Sequence, residues 1–214
     1  NHIKSRKPIN IELPYPGFEK LHFVAWGNVN DEVNFNKSDL NVTLKDKGAG
    51  IANSPSDLFY GTLDVTVEYG GIEYAGDQTV VISRKTSQVV ITANGLKAWN
   101  GNKEGTYTYR LSESHNTIDV DGNLTGPMVG YNPNAAMDSN GNLGASPFRT
   151  FPTTGGKTYT LEILFNGEVI YTATQGTDGV KFVPETGKLL NIYLDFRAEV
   201  GVYVMITPWD VVIM

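Results

Sequence analysis

The stretches "DVDGN" (119–123) and "MDSNGN" (137–142) carry the residue types that bind a hard cation, because Asp and Asn supply the oxygen ligands that calcium takes. Their spacing does not complete such a site. An EF-hand loop needs D-x-[DN]-x-[DN]-G and a Glu at its last position, and here Gly122 falls two places early with no Glu in register. Asp-Gly and Asn-Gly are also the ordinary dipeptides of tight turns, so both stretches are expected as turns. Acid–base chemistry has little material: the three histidines, His2, His22 and His115, stand in no HExxH pattern, and no G-x-S-x-G elbow is present. Glu162, Asp195 and Glu199 are spread along strand-like runs as solvated faces would be. A carboxylate pair for glycoside hydrolysis assembles only in three dimensions, and the sequence leaves that open. The reading is no enzyme, no cofactor and no metal.

The tryptophans are the other candidates, since a sugar ring lies well on an aromatic face. Trp26 closes an alternating strand and Trp209 sits in the terminal apolar run, where large rings usually fill a core. Trp99, in the polar stretch "KAWNGNKEG", is the candidate glycan contact, with the aromatic-bearing segment 128–151 beside it.

These residues must be positioned by strands. Period-2 alternation rich in β-branched and aromatic residues dominates, and helical periodicity is nearly absent. Strands are expected at 9–13, 21–26, 41–44, 62–69, 78–83, 88–93, 106–113, 159–165, 168–174, 189–196 and the closing run. Turn signals stand at Gly70–Gly71, Asp121–Gly122 and Asn166–Gly167. Alternation places Leu63, Val65 and Val67 on one inward face, and Ile192, Leu194 and Phe196 on another. "SPSDL" (54–58) offers a Ser cap before Pro, so a short helical turn is expected there. The segment 121–156, dominated by Gly, Asn, Pro, Ser and Thr, reads as a long surface excursion.

A chain of 214 residues suits two small cores. The boundary is expected within a residue or two of Arg84, where two strands meet across a short polar stretch, giving units 1–84 and 85–214 in an all-β, two-sandwich chain. With no Cys, disulfide staples and thiolate metal sites are out, and each unit must be held by apolar burial and strand pairing. The net charge of −6 argues against nucleic acid or an anionic membrane surface as partner. No apolar run approaches the length of a membrane span, and the start at Asn1 without a signal peptide reads as a trimmed, mature segment.

The succession "DLFYG" (57–61), "VVISRKTSQVVITANGL" (80–96), "GYNPN", "FRTFPTTGGKTYTLEILFNGEVIY" (148–171) and "VMITPWDVV" (204–212) resembles the FimB-like fimbrial anchor family of Bacteroidales type V pili. The resemblance implies two transthyretin-like antiparallel β-sandwiches in tandem, in an outer-membrane lipoprotein at the cell surface that holds a pilus at its base. It implies stalk pilins as protein partners and a membrane link only through a lipidated Cys upstream of Asn1. Stalk subunits of such pili are opened by an Arg-specific protease after their first strand. No Arg occurs between Arg6 and Arg84, which favours an uncleaved anchor over a stalk pilin. The rival reading is a surface glycan-binding module of a sugar-uptake system, with Trp99 at its site.

The closing run "VGVYVMITPWDVVIM" (200–214) is almost wholly apolar and suits either a last core strand or a strand offered to a partner sheet. Both hold in turn if 200–206 stays in its domain while Pro208 breaks the ladder and frees the tail. The candidate partner strand is therefore Trp209, Val211, Val212, Ile213 and Met214.

Overall fold

The computed structural model describes residues 20–66 and 78–209. In chain order these hold β1 (Lys20–Gly27), β2 (Val33–Asn36), β3 (Asn41–Leu44), β4 (Asp46–Gly48), β5 (Ile51–Ala52), β6 (Phe59–Thr66), β7 (Ser83–Arg84) and β8 (Ser87–Asn94). One helical turn, α1 (Leu96–Trp99), precedes β9 (Tyr107–Ile118), β10 (Leu124–Tyr131), β11 (Ala135–Met137), β12 (Leu143–Ala145) and β13 (Phe148–Thr150). The chain continues through β14 (Thr160–Phe165), β15 (Glu168–Ala173), β16 (Lys188–Asp195) and β17 (Gly201–Pro208). The fold is all-β, as the alternation predicts.

The strands form three sheets. The smallest runs β1-β6-β7. The second runs β15-β14-β9-β10-β5-β4, and its long strand β9 also accepts β3 where β14 stops, with Val42 opposite Ile118. The third runs β11-β12-β8-β16-β17 with β13 also on β8, and its central pair β8 and β16 is parallel, Ile91 lying opposite Ile192. Alternate residues of β8 and β16 are fully buried, including Val89, Ile91, Leu190, Ile192 and Leu194. They meet Tyr109, Leu111, Leu161 and Ile163 of the second sheet in one apolar cluster. Val33, Val42, Leu44, Ala52 and Leu58 join that same cluster, so residues on both sides of Arg84 share a core and a sheet.

Of the expected inward residues, Ile192, Leu194 and Phe196 are buried, Leu63 and Val65 are half-buried, and Val67 lies outside the described residues. The expected strand 9–13 and the turn at Gly70–Gly71 also lie outside them. Asn166 and Gly167 both take positive φ and close the β14–β15 hairpin, as the dipeptide requires.

Three expectations are corrected. Residues 54–58 form no helical turn, because the hydroxyl of Ser54 is engaged by the backbone of Arg149, accepting from its N–H at 2.8 Å and donating to its carbonyl at 2.9 Å. The strand expected at 78–83 is reduced to Ser83–Arg84, since the Val81 carbonyl packs against the Cα of Gly61, where a Cβ would sit 2.1 Å from it. The segment 121–156 is no surface excursion: it supplies β10 to β13, and Val129, Tyr131, Leu143, Phe148 and Phe151 are buried. Its tyrosine hydroxyl is satisfied inside, Tyr131 pairing with Ser114 at 2.9 Å and accepting from the Phe151 N–H at 3.0 Å.

Candidate functional site

The motifs quoted above, distant in sequence, converge on Arg84. Arg84 ends β7, which pairs with β6 so that Arg84 lies opposite Phe59, two residues after Asp57. Its Nε and Nη2 donate to the two carboxylate oxygens of Asp57 at 2.6 and 2.8 Å, a bidentate fork. The pair is largely desolvated, with side chains 9% and 19% exposed. The Thr86 hydroxyl adds a third donor to Asp57 at 3.2 Å. The remaining Nη1 of Arg84 donates to the carbonyl of Trp209 at 3.0 Å, and the guanidinium carbon stands 3.9 Å from the centroid of the Trp209 ring. Arg149 approaches the same ring at 5.2 Å. Trp209 is thus clamped by two guanidinium groups through cation–π contact.

Next in sequence, Lys85 donates to the Gly122 carbonyl at 3.1 Å and lies 4.9 Å from the ring centre of Tyr60, whose hydroxyl donates to the Val120 carbonyl at 2.6 Å. Burial holds the Lys85 ammonium below its ordinary pKa and pushes the Tyr60 phenol up, the latter helped by Asp121 and Asp119. Residues 84–86 therefore tie the small sheet, the 119–123 turn and the end of the chain together.

Leading into the clamp is β17, an edge strand among the described residues. Pro208 does not break its ladder: Lys188 pairs with Pro208, and the Trp209 N–H donates to the Gly187 carbonyl at 3.0 Å. An antiparallel ladder alternates, so Tyr203, Met205 and Thr207 face β16, while Val202, Val204, Ile206 and Pro208 present their backbone to the open edge. Pro208, which has no N–H, therefore sits where none is used. Val202 is already covered, its carbonyl accepting from the Thr177 N–H at 2.8 Å. Among the described residues nothing pairs with the outward backbone of Val204 and Ile206. On the outer face of this sheet Tyr203 and Met205 are 58% and 57% exposed.

Among the expected site residues, Trp209 is held at the clamp, and Val211, Val212, Ile213 and Met214 lie outside the described residues. Trp99 ends α1, half-exposed, against Phe196 at 4.8 Å and Tyr171 at 6.3 Å. The rings Tyr131, Phe148 and Phe151 point into the core and do not join it. The two Asp turns prove to be one device used twice. Asp119 Oδ1 accepts from the N–H groups of Asp121 and Asn123, and Asp138 Oδ1 from those of Asn140 and Asn142. His22 pairs with Asp64 at 2.6 Å in the small sheet and His115 with the Gly126 carbonyl at 2.7 Å in the second. Among the described residues no three His, Cys, Asp or Glu side chains gather as a metal site. Asp57 and Arg149 carried no signal of their own in the sequence, since a fork between residues 27 apart is visible only once β6 and β7 pair.

Fold and site together describe a cysteine-free, multi-sheet β protein whose Arg84 cluster holds the last described residue after β17. The family model of fimbrillin-A associated anchor proteins Mfa1 and Mfa2 matches residues 1–214, and the chain belongs to that family. It is 39% identical over 222 residues to the major fimbrium anchoring subunit FimB of Porphyromonas gingivalis, the match spanning 98% of this chain and 72% of that protein. Among solved structures, the fimbrial anchor protein Mfa2 of Porphyromonas gingivalis superposes with a TM-score of 0.60 at 17% identity, covering 89% of this chain and 75% of that one. A Bacteroides thetaiotaomicron protein of the DUF1812 group gives 0.63 at 16% identity, covering 93% and 77%. At such identities the likeness is one of fold. The family relation makes this chain a structural fimbrial anchor subunit, associated with the fimbrium.

Proposed function

We propose that the chain sits at the base of a fimbrium as an outer-membrane lipoprotein without catalytic activity, and meets its stalk pilin through strand pairing at its C-terminal end. The observation that carries the reading is the edge of β17, where Val204 and Ile206 have backbone groups that no described residue pairs, beside Trp209 held by Arg84. Main-chain hydrogen bonds along such an edge give affinity, and the alternate side chains give register. The clamp supports a tail that stays docked until a partner replaces its contacts, since an apolar strand left loose aggregates. The same proposal keeps the division into units 1–84 and 85–214, meeting at Arg84 and joined through β2 to β5 in one shared core.

The test is truncation after Pro208, with circular dichroism to read the fold and a pull-down to read capture of the stalk pilin. A folded truncation with weakened capture is expected. One that captures its pilin normally rules out a part for the tail. The exposure of Trp99 favours the rival glycan-binding reading, which an affinity gel checks: retardation by a polysaccharide that disappears in Trp99→Ala would support it.

A further inference from the structure

Beside the clamp lies a cavity of about 220 Å³, bounded by β4 and β5, the β10–β11 connection and the start of β13. Two of its lining side chains, Lys47 and Arg149, are cationic, and among the described residues none is acidic. Neither cation forms an ion pair with a described carboxylate. Arg149 is held in place from behind: its backbone is bonded to Ser54, and its guanidinium carbon stands 5.2 Å from the Trp209 ring. Its Nε is buried with no hydrogen-bond partner among the described residues. In a chain of net charge −6, a cavity with only positive lining is a local reversal of sign, which concentrates anions there.

We infer that this cavity binds a carboxylate presented by a protein partner, drawn by the Lys47 ammonium and the Arg149 guanidinium that line it. A sugar ring is the poorer fit. It needs an exposed aromatic face to stack on and carboxylates to accept from its hydroxyls. Here Tyr131 and Phe148 are buried, and among the described residues no acid lines the walls. Ala52, Pro133 and Pro147 instead give apolar walls for an aliphatic stem, and the exposed amides of Asn132 and Asn134 add donors at the rim. The inference rests on the proposed docking of a pilin and names the chemistry that holds it. Because Arg149 also contacts Trp209, a bound carboxylate reports on the terminal clamp.

The test follows the Arg149 Nε–H resonance by NMR while the full chain is titrated with acetyl-Gly-Glu-amide, acetyl-Gly-Gln-amide and glucuronic acid. The Glu peptide should give a saturable shift and the Gln peptide none. Lys47→Glu, at an exposed side chain, should melt like wild type and weaken the Glu peptide by about tenfold or more. No response to the Glu peptide, or an equal response to the Gln peptide, overturns the inference. Tighter binding of glucuronic acid moves the cavity to acidic sugars and overturns the protein assignment. Asp210→Asn serves as a check on the carboxylate that follows Trp209 in the sequence: unchanged affinity supports an outside ligand, whereas a large gain identifies Asp210 as the occupant. A pull-down with the stalk pilin separates the two proposals. Wild type that takes the Glu peptide but captures no pilin overturns docking and the partner with it. Equal capture by wild type and Lys47→Glu preserves docking and removes the cavity from it.

Discussion

The Arg84–Asp57 fork is the group on which the terminal clamp depends, and its geometry makes Arg and Lys unequal at this position. A guanidinium serves both Asp57 oxygens and the Trp209 carbonyl while its face covers the indole. An ammonium can meet one or two of these, and offers no plane to stack. Arg84→Lys should therefore lower stability by about 1–3 kcal/mol and loosen Trp209. Urea titration reads the first effect, and hydrogen exchange at residues 201–209 the second; unchanged protection there would deny the clamp its role. Tyr131 offers a test by pH. Burial pushes its phenol up to about 12, so the folded chain holds that proton more tightly than the unfolded one, whose phenols titrate near 10. The resulting stability is complete below about pH 10 and is lost as pH rises toward 12. Tyr131→Phe should remove its share of this alkaline loss, the buried phenols of Tyr109 and Tyr159 keeping theirs, while costing about 1–3 kcal/mol at neutral pH by leaving the Phe151 N–H without its acceptor. Circular dichroism against tyrosinate absorbance follows both.

The twin turns at 119–123 and 138–142 link strands, and their Asp carboxylates are occupied by backbone donors. The Asn142 N–H, followed by its side chain, holds the Asp138 carboxyl below its ordinary range. Such a group stabilises the fold above its unfolded pKa and ceases to as pH falls through the folded one. Asp138→Ala should lower the melting temperature at neutral pH and lose that difference in acid. Millimolar calcium should leave wild type unmoved; a rise of several degrees, reversed by chelator, would contradict the turn assignment. The same stretches show what the sequence could and could not convey. The 41–44, 88–93, 159–165 and 189–196 strands were legible because alternation over four or more residues has one structural solution. The strands β11, β12 and β13 were not, since three residues carry too little period to stand out from the Gly, Asn and Pro of their turns. At the site, the closing run was legible as a strand as far as Pro208, where it forms β17. Its Arg84 and Asp57 anchor was present as quoted letters whose meeting no local pattern announces, and Lys47 and Arg149 stayed silent for the same reason.

How the halves of the chain depend on each other decides whether the anchor is one body or two. Val33, Val42, Leu44 and Leu58, all before Arg84, are buried in the cluster that also holds Ile118, Val129 and Ile192. Burial of four such side chains is worth about 6–12 kcal/mol, at 1.5–3 each. That is comparable with the whole stability of an ordinary domain. Residues 85–214 expressed alone should therefore fail to fold cooperatively: β9 loses β3 at Ile118, β10 loses β5 at Gly130, and Arg84 no longer holds Trp209. Adding residues 1–84 as a separate chain should restore the fold, because the lost contacts are non-covalent. Gel filtration and thermal unfolding of the fragment, alone and mixed, measure this. A soluble 85–214 fragment that melts in one sharp transition by itself would establish two independent sandwiches joined at Arg84. Failure alone with recovery on mixing would mean that the terminal clamp and the strands of 33–52 are shared parts of one core. A load carried along the fimbrium to β17 would then be borne by both halves of the chain at once.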